Sequence, residues 1–223
     1  MKRLKVLELF AGSRSIGKVA DELGYEVFSV DINNFEGIDL VKDIEFLTKD
    51  DIPFIPDVIW ASPPCTTYSI AAIGHHRNMG KPKTEFAAKS DRLVLNTLRL
   101  IKEYNCKYFI ENPRGYLRKM DFMLGIPKTT VWYCQYGDTS AKPTDIWSNH
   151  IYSLFNEKGW NPRPECKNGN KKCHHESAPR GSTIKKLKEK GIIVKKGGTQ
   201  AKKNNYERSK VPYELCKEIL LSL

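Results

Sequence analysis

The 223-residue chain has no apolar run approaching the roughly 18 residues that a membrane-spanning helix needs, so no membrane partner is expected. Its opening stretch, MKRLKVLELFAG, turns to strand and glycine and does not read as a secretory signal. A soluble, intracellular (cytoplasmic) protein is expected, and disulfides between its six cysteines are not. The GxGxxG pattern is absent, which argues against a nicotinamide cofactor. There is no internal repeat, and no pair of cysteines has the tight CxxC spacing. Acidic residues are also short in supply, 26 against 37 basic ones, for a net charge of +11.

That excess is localised. Between Arg163 and Lys210 there are 15 basic and 4 acidic residues, and the rest of the chain is balanced at 22 of each. A concentrated basic segment fits a polyanionic partner, most often nucleic acid; the alternative is a solvated lysine-rich insert. Hydrophobic residues at 40% suffice for a sizeable core.

Strand and helix patterns alternate through the first half. Residues 4–11, 26–32, 57–64 and 107–113 read as strands, and 13–24 and 89–105 as amphipathic helices. Further strands are expected at 131–137 and 145–149, and a short helix closes the chain after Pro212. Alternation of this kind predicts a parallel sheet flanked by helices, with ligands beyond the carboxyl ends of the strands. The division expected is a catalytic domain over 1–155, a small basic insert over 156–210 and a helix over 211–223 that returns to the first part.

The sharpest motifs fall at strand ends. LFAGSRSIG places Gly12 at a turn where a bare backbone can approach a ligand. Asp31 follows at the end of the second strand, where an acid can accept ribose hydroxyls. Asp43 and Ile44 are further candidate contacts, although an Asp in a loop is ordinarily just solvated. ASPPCTTYS presents Cys65 after two prolines that fix the backbone. A lone cysteine is ordinarily an inert buried residue; a Pro-Pro-Cys at a strand terminus favours a nucleophile. FIENPRG puts Glu111 at another strand end. The long loop after Cys65 carries Gly74 and Gly80 as candidate hinges, and His75 and His76, which are read as facing phosphate or solvent.

Taken in order, LFAG, Asp31, PPC, ENP and the late KPT and VP elements resemble the cytosine-5 DNA methyltransferases, and the small phage-type members most. The resemblance spans roughly residues 4 to 150 and the last helix. It implies a Rossmann-like, S-adenosylmethionine-dependent methyltransferase fold of the α/β class, and DNA as partner. A monomer is the expectation. It also implies that Phe10, Ala11 and Gly12 line the cofactor pocket with Asp31 and Ile32 at the ribose, Asp43 and Ile44 at the adenine, and Pro64 beside the methyl group. Cys65 would be the nucleophile, Glu111 would contact the base and Asn112 would brace the loop carrying Cys65.

The family's Gln after Pro-Cys is Thr66 here, and its Val after Glu-Asn is Pro113. Its Gln-x-Arg-x-Arg segment has no counterpart, which leaves Lys142 as the substitute cation, and its late Gly-Asn-x-Val-Pro reads Arg208-Ser209-Lys210-Val211-Pro212. These departures leave open a related cytosine-modifying enzyme acting on another nucleic acid, on nucleotides or with a modified donor, or a DNA-binding protein on the same fold.

One cluster lies apart. Cys166, Cys173 and the adjacent His174 and His175 fall inside the basic insert, and Cys134 precedes them on an expected strand. Cys134, Cys166, Cys173 and His175 suit a structural zinc site, which would brace a segment poor in apolar residues. Free thiols in a loop are the alternative.

Overall fold

The computed structural model describes residues 3–176, 189–191 and 205–223. Much of the expected basic insert therefore lies outside the described residues. In chain order the elements are β1 (Lys5–Leu9), α1 (Ser15–Glu22), β2 (Glu26–Asp31), β3 (Leu40–Val41), β4 (Val58–Ala61), α2 (Ile73–His76), β5 (Arg77–Asn78), β6 (Lys81–Pro82), α3 (Glu85–Tyr104), β7 (Lys107–Pro113), β8 (Lys128–Trp132), β9 (Pro143–Ser148), α4 (Asn205–Ser209) and α5 (Tyr213–Leu221). Seven strands form one sheet in the order β3-β2-β1-β4-β7-β9-β8. The first five run parallel, and β9 and β8 are antiparallel additions at one edge.

Both faces of the parallel strands are buried, as crossover helices require. Val6, Val58, Trp60 and Phe109 pack with Ile16, Val19 and Ala20 of α1 and with Leu215, Ile219 and Leu220 of α5. Their sequence neighbours Leu7, Ile59, Ala61 and Ile110 face the opposite way, onto Leu93, Val94, Leu100 and Ile101 of α3. The chain runs outward from β1 to β2 and β3, then returns to lay β4 on the other side of β1. That reversal opens a crevice at the carboxyl ends of β1 and β4.

The last helix closes this layer onto α1, through Tyr25 Oη donating to Leu220 O at 3.2 Å and Tyr213 Oη to Glu22 at 2.8 Å. The start of the expected insert is also tied down. Trp160 is buried and donates to Glu218 at 3.0 Å, beside Arg163 on the same carboxylate at 2.8 Å. No helix among the described residues is long and apolar enough to cross a membrane.

The strand expected over 131–137 is corrected. It covers Lys128–Trp132, and Tyr133–Tyr136 form a 3-10 turn ended by Gly137 at φ 89°. The ladder ends where Trp132 meets Pro143, the first residue of β9, because a proline has no N–H to extend it. Cys134 therefore sits on a turn and not on a strand.

Glu8 is the costly residue of this core. It is buried on β1, accepting from Ser29 Oγ at 2.9 Å and from Ile16 N at 3.2 Å. Burial pushes its carboxyl up to about 7, against partial relief from Ser29, the amides of Gly17 and Ile16, and the charge of Arg14. The folded protein thus holds this proton more tightly than the unfolded chain. The penalty is absent below the ordinary value of 4.5, grows through the interval to about 7 and is complete above it. At full size it is about 3 kcal/mol. Urea unfolding between about pH 5 and about pH 8 should show Glu8→Gln gaining stability relative to the native chain as pH rises. Parallel pH dependence in the two proteins would rule out this titration.

Candidate active site

The crevice is a cleft of about 300 Å³. At its inner end β1 leaves the sheet through Phe10 and Gly12, both in the left-handed region at φ 57° and 48°. Asp31, at the end of β2, holds this turn by accepting Gly12 N at 3.0 Å, and its other oxygen accepts Asn33 N at 2.8 Å. Asp43 accepts Glu45 N at 3.0 Å and pairs with Lys89 at 2.6 Å. Burial alone would raise its carboxyl, but the hydrogen bonds from Lys89 and the Glu45 amide outweigh burial and hold it below the usual range. Ile32, Ile44, Trp60, Leu93 and Pro64 supply apolar walls.

At the outer end stand Cys65 and Glu111. Both line the same cleft because β4 and β7 are adjacent and parallel, Ala61 lying opposite Ile110. Asn112, alone among the twelve catalytic and cofactor candidates, does not line it. Asn112 is buried behind the cleft, and its Nδ2 donates to Pro63 O at 2.8 Å, which ties β7 to the Pro-Pro-Cys loop. Cys65 is exposed at the mouth of the cleft, yet the walls around its sulfur strip away part of its water and push the thiol up; the Glu111 charge adds to this, while Lys142 and Arg208 pull the other way. Lys142 lines the cleft at φ 27°, with its Nζ donating to Arg208 O at 2.8 Å and lying 4.3 Å from the centre of the Tyr133 ring. Cys65, Pro113, Lys142 and Arg208 also border a second, adjoining cleft of about 930 Å³ that is lined by Thr66, Ser69 and Arg114.

Some residues of this site escaped sequence reasoning. Tyr133 is fully buried and donates to Glu111 Oε1 at 2.8 Å. Nothing in its local sequence marks it, because its partner is 22 residues away on β7, and β9 lies between β7 and β8 in the sheet. Arg77 anchors the loop after Cys65. Its side chain is 0% exposed, pairs with Asp91 at 2.7 and 3.0 Å, donates to Thr67 O at 3.0 Å and lies over Tyr68 at 4.4 Å. Gly115 passes so close to Tyr68 O that a β-carbon would sit 2.6 Å from it, which explains a glycine directly after Arg114. Of the expected hinges, Gly74 lies in α2, and Gly80 forms the tight turn between β5 and β6. His75 and His76 are not buried, and His76 contacts Thr84 at 3.3 Å.

On the far side of β8, Cys134, Cys166, Cys173 and His175 converge, each offering one ligand atom, all within 4.8 Å of one another. His174 turns away, to Asp138 O at 3.1 Å.

Residues 4–122 match the family model for C-5 cytosine-specific DNA methylases. The chain belongs to this family. A probable DNA (cytosine-5)-methyltransferase of Frog virus 3 (isolate Goorha) is 30% identical over 156 residues, covering 66% of this chain and 71% of that protein. The type II methyltransferase M.CviJI of Paramecium bursaria Chlorella virus IL3A is 31% identical over 118 residues, covering 48% of this chain and 30% of its own length. These relatives are viral, in keeping with a small viral-type member. A solved methyltransferase of Entamoeba histolytica superposes over 100% of this chain and 98% of its own, with a TM-score of 0.53 at 13% identity, and shares the fold.

The cofactor of such a cytosine-5 methylase is S-adenosylmethionine, and the cleft fits it. Acidic side chains stand at the inner end for hydroxyl and amino groups, apolar walls flank the middle, and the outer end opens beside Cys65. Asp31, Asp43, Phe10, Ile32 and Ile44 are the residues that would hold it.

Two outcomes follow from this geometry. Alkylation of Cys65, followed by peptide mass spectrometry in the free protein, should titrate above the ordinary thiol value of 9.0, and Glu111→Gln should bring that midpoint down. A Cys65 midpoint below that of free cysteine would contradict the arrangement. Arg77→Ala leaves Asp91, 14% exposed, with the hydrogen bond from Tyr68 Oη at 2.7 Å but without its ion pair, and should cost about 3 kcal/mol in urea unfolding, the low end for halving a buried ion pair. A loss under about 1 kcal/mol would show that the loop is held elsewhere.

Proposed function

We propose that the chain methylates carbon 5 of cytosine in DNA with Cys65 as covalent nucleophile and Glu111 as the acid on the base. The observation that carries this reading is the meeting of Cys65 and Glu111 at the mouth of one cleft whose inner end is acid-lined. Carbon 5 of cytosine is too weak a nucleophile to attack a methyl sulfonium unaided. Addition of the Cys65 sulfur to ring carbon 6 turns the ring into an enamine, which is nucleophilic at carbon 5. A proton delivered from the Glu111 carboxyl to ring nitrogen 3 takes up the charge that this addition creates. When bound, S-adenosylmethionine supplies the electrophilic methyl group. Loss of the carbon-5 proton to a water in the open cleft then expels the sulfur as thiolate, and return of the nitrogen-3 proton to Glu111 restores the ring.

The remaining residues set up this chemistry. Tyr133 holds one oxygen of Glu111 and leaves the second for the base. Asn112 fixes the distance between the two loops. The Cys65 thiol gives up its proton to the Glu111 carboxylate as the base binds; this removes the charge that opposes the thiolate, supplies the proton that Glu111 passes to nitrogen 3, and leaves an anion that Lys142 and Arg208 favour. A base inside a duplex cannot reach these groups, so it is extruded through the second cleft, which Arg114, Lys142 and Arg208 make basic, to the mouth of the first, where Cys65 and Glu111 stand. The basic stretch within 156–210 serves as the DNA-facing target-recognition region, contacting phosphates in a salt-dependent way. The chain acts as a monomer inside the cell.

The deciding experiment offers varied duplexes, in parallel with free deoxycytidine nucleotides, with methyl-labelled S-adenosylmethionine, for the native chain and Cys65→Ala. Digestion of the DNA should give label in 5-methyldeoxycytidine for the native chain and none for the variant. Label in the nucleotides alone would move the substrate away from DNA, and equal label with Cys65→Ala would remove Cys65 from the mechanism.

A further inference from the structure

We infer that Cys134, Cys166, Cys173 and His175 bind a structural Zn²⁺ that fastens the root of the basic segment to the catalytic sheet. Three thiols and an imidazole with their ligand atoms inside a 4.8 Å sphere of one another are close to a tetrahedral set. Zinc–sulfur bonds of about 2.3 Å place ligand atoms roughly 3.8 Å apart, a separation within small side-chain rotations of this one. No carboxylate belongs to the group, so the donor set is soft and favours zinc over calcium or magnesium.

Small apolar packing and weak sulfur contacts are what otherwise hold these groups together among the described residues. The four come from segments more than thirty residues apart in sequence, Cys134 on the turn after β8 and the others on 166–175. All three cysteines are free thiols. His175 is 5% exposed; its Nδ1 faces only Cys166 Sγ, at 3.7 Å, and its Nε2 is buried with no partner. Burying an imidazole against weakly bonding sulfur is unfavourable, and a metal ion gives it a strong partner. Amide donors already approach the sulfurs: Asn170 Nδ2 lies 3.5 Å from Cys166 Sγ, and Gln135 Nε2 lies 3.7 Å from Cys134 and 3.9 Å from Cys173. Side-chain amides in this position stabilise metal-bound thiolates.

Residues 161–176 contain no helix or strand, and the apolar cluster here adds only Trp132 and Ala141 to the cysteines. So small a core cannot hold such a segment alone, and metal binding supplies the missing free energy. The segment lies along the turn that follows Cys134: Glu176 N donates to Thr139 O at 2.8 Å, next to Ser140 and three residues before Lys142. The same turn begins with Tyr133, which holds Glu111. The ion would therefore set where the lysine-rich stretch departs and keep the turn bearing Tyr133 in place. The metal site itself is independent of the methylation reading; only its service to DNA binding rests on it.

The full chain, purified without a histidine tag, should carry about one zinc per chain by mass spectrometry of metals. Cys166→Ser and His175→Ala should each lower zinc affinity by about ten-fold or more, and Cys106→Ser, away from the cluster, should leave it unchanged. Because a ligand variant can unfold, Co²⁺ is also loaded into the native chain, where sulfur-to-cobalt charge transfer should report three thiolates. Native protein with under roughly 0.2 zinc per chain that takes up none from a zinc buffer would overturn the inference. So would a disulfide among these cysteines in freshly purified protein, cobalt spectra without thiolate bands, or zinc retained at full affinity by both ligand variants. Metal content reads these outcomes whether or not the chain methylates DNA.

Discussion

The parallel pairing of β4 with β7 is the constraint on which the site depends. Ala61 opposite Ile110 sets the loop that leaves β4 with Cys65 beside Glu111 and Asn112, the residues by which β7 runs on past β4 to Pro113. A slip of one residue would exchange the faces of every side chain on the strand and bury the wrong set. Such a slip is opposed from both sides: Trp60 and Phe109 stack at 6.2 Å on one face, and Ile59, Ala61 and Ile110 pack towards α3 on the other. The Asn112 bond to Pro63 O then fixes the loops themselves. Hydrophobic registry thus determines the chemistry, and the polar residues refine a distance already set.

Around that pair, electrostatics divide the molecule in two. The catalytic part carries as many acids as bases, and several of its charges are paired locally: Arg77 with Asp91, Arg118 with Asp145, Asp43 with Lys89. The whole excess of positive charge lies between Arg163 and Lys210. Attraction to a polyanion is therefore carried by a region separate from the one that tunes Cys65 and Glu111. Lys142 and Arg208 are where the two regions meet at the site, since both line the two clefts and Lys142 bonds to the backbone of Arg208.

Legibility in the sequence followed the range of the interactions. Strands flanked by glycine and proline, such as KYFIENP, were readable because local pattern and burial agree, and β7 spans those same seven residues. The cofactor and nucleophile candidates were readable because each sits at a strand end with its own turn chemistry; the sheet brings Phe10, Asp31, Asp43, Cys65 and Glu111 to one cleft. The Cys/His set was readable from residue type alone, although the sequence did not distinguish His174 from His175; burial does. Tyr133, Arg77 and Glu8 were not readable. Each acts through a partner far along the chain, and each looks like an ordinary strand, loop or core residue until the sheet is assembled. The antiparallel β8–β9 addition was hidden for the same reason, since its pairing is decided by β7 and not by its own pattern.

The late element that departs most from the family pattern explains how the cleft tolerates the change. Arg208, Ser209 and Val211 all line the cleft, yet the bond that seats this stretch is made by the backbone: Val211 N donates to Ser15 Oγ at 3.1 Å. Any residue other than proline supplies that donor. Lys142 meets the same stretch through a backbone acceptor, Arg208 O, and holds a strained φ of 27° to do so. Strain of this kind survives only where the surroundings over-determine it, and here the Tyr133 ring on one side and the Arg208 carbonyl on the other do so. The roof of the cleft is thus specified by main-chain contacts between three distant segments, so a serine in place of the family's asparagine changes what faces the ligand without releasing the segment that carries it.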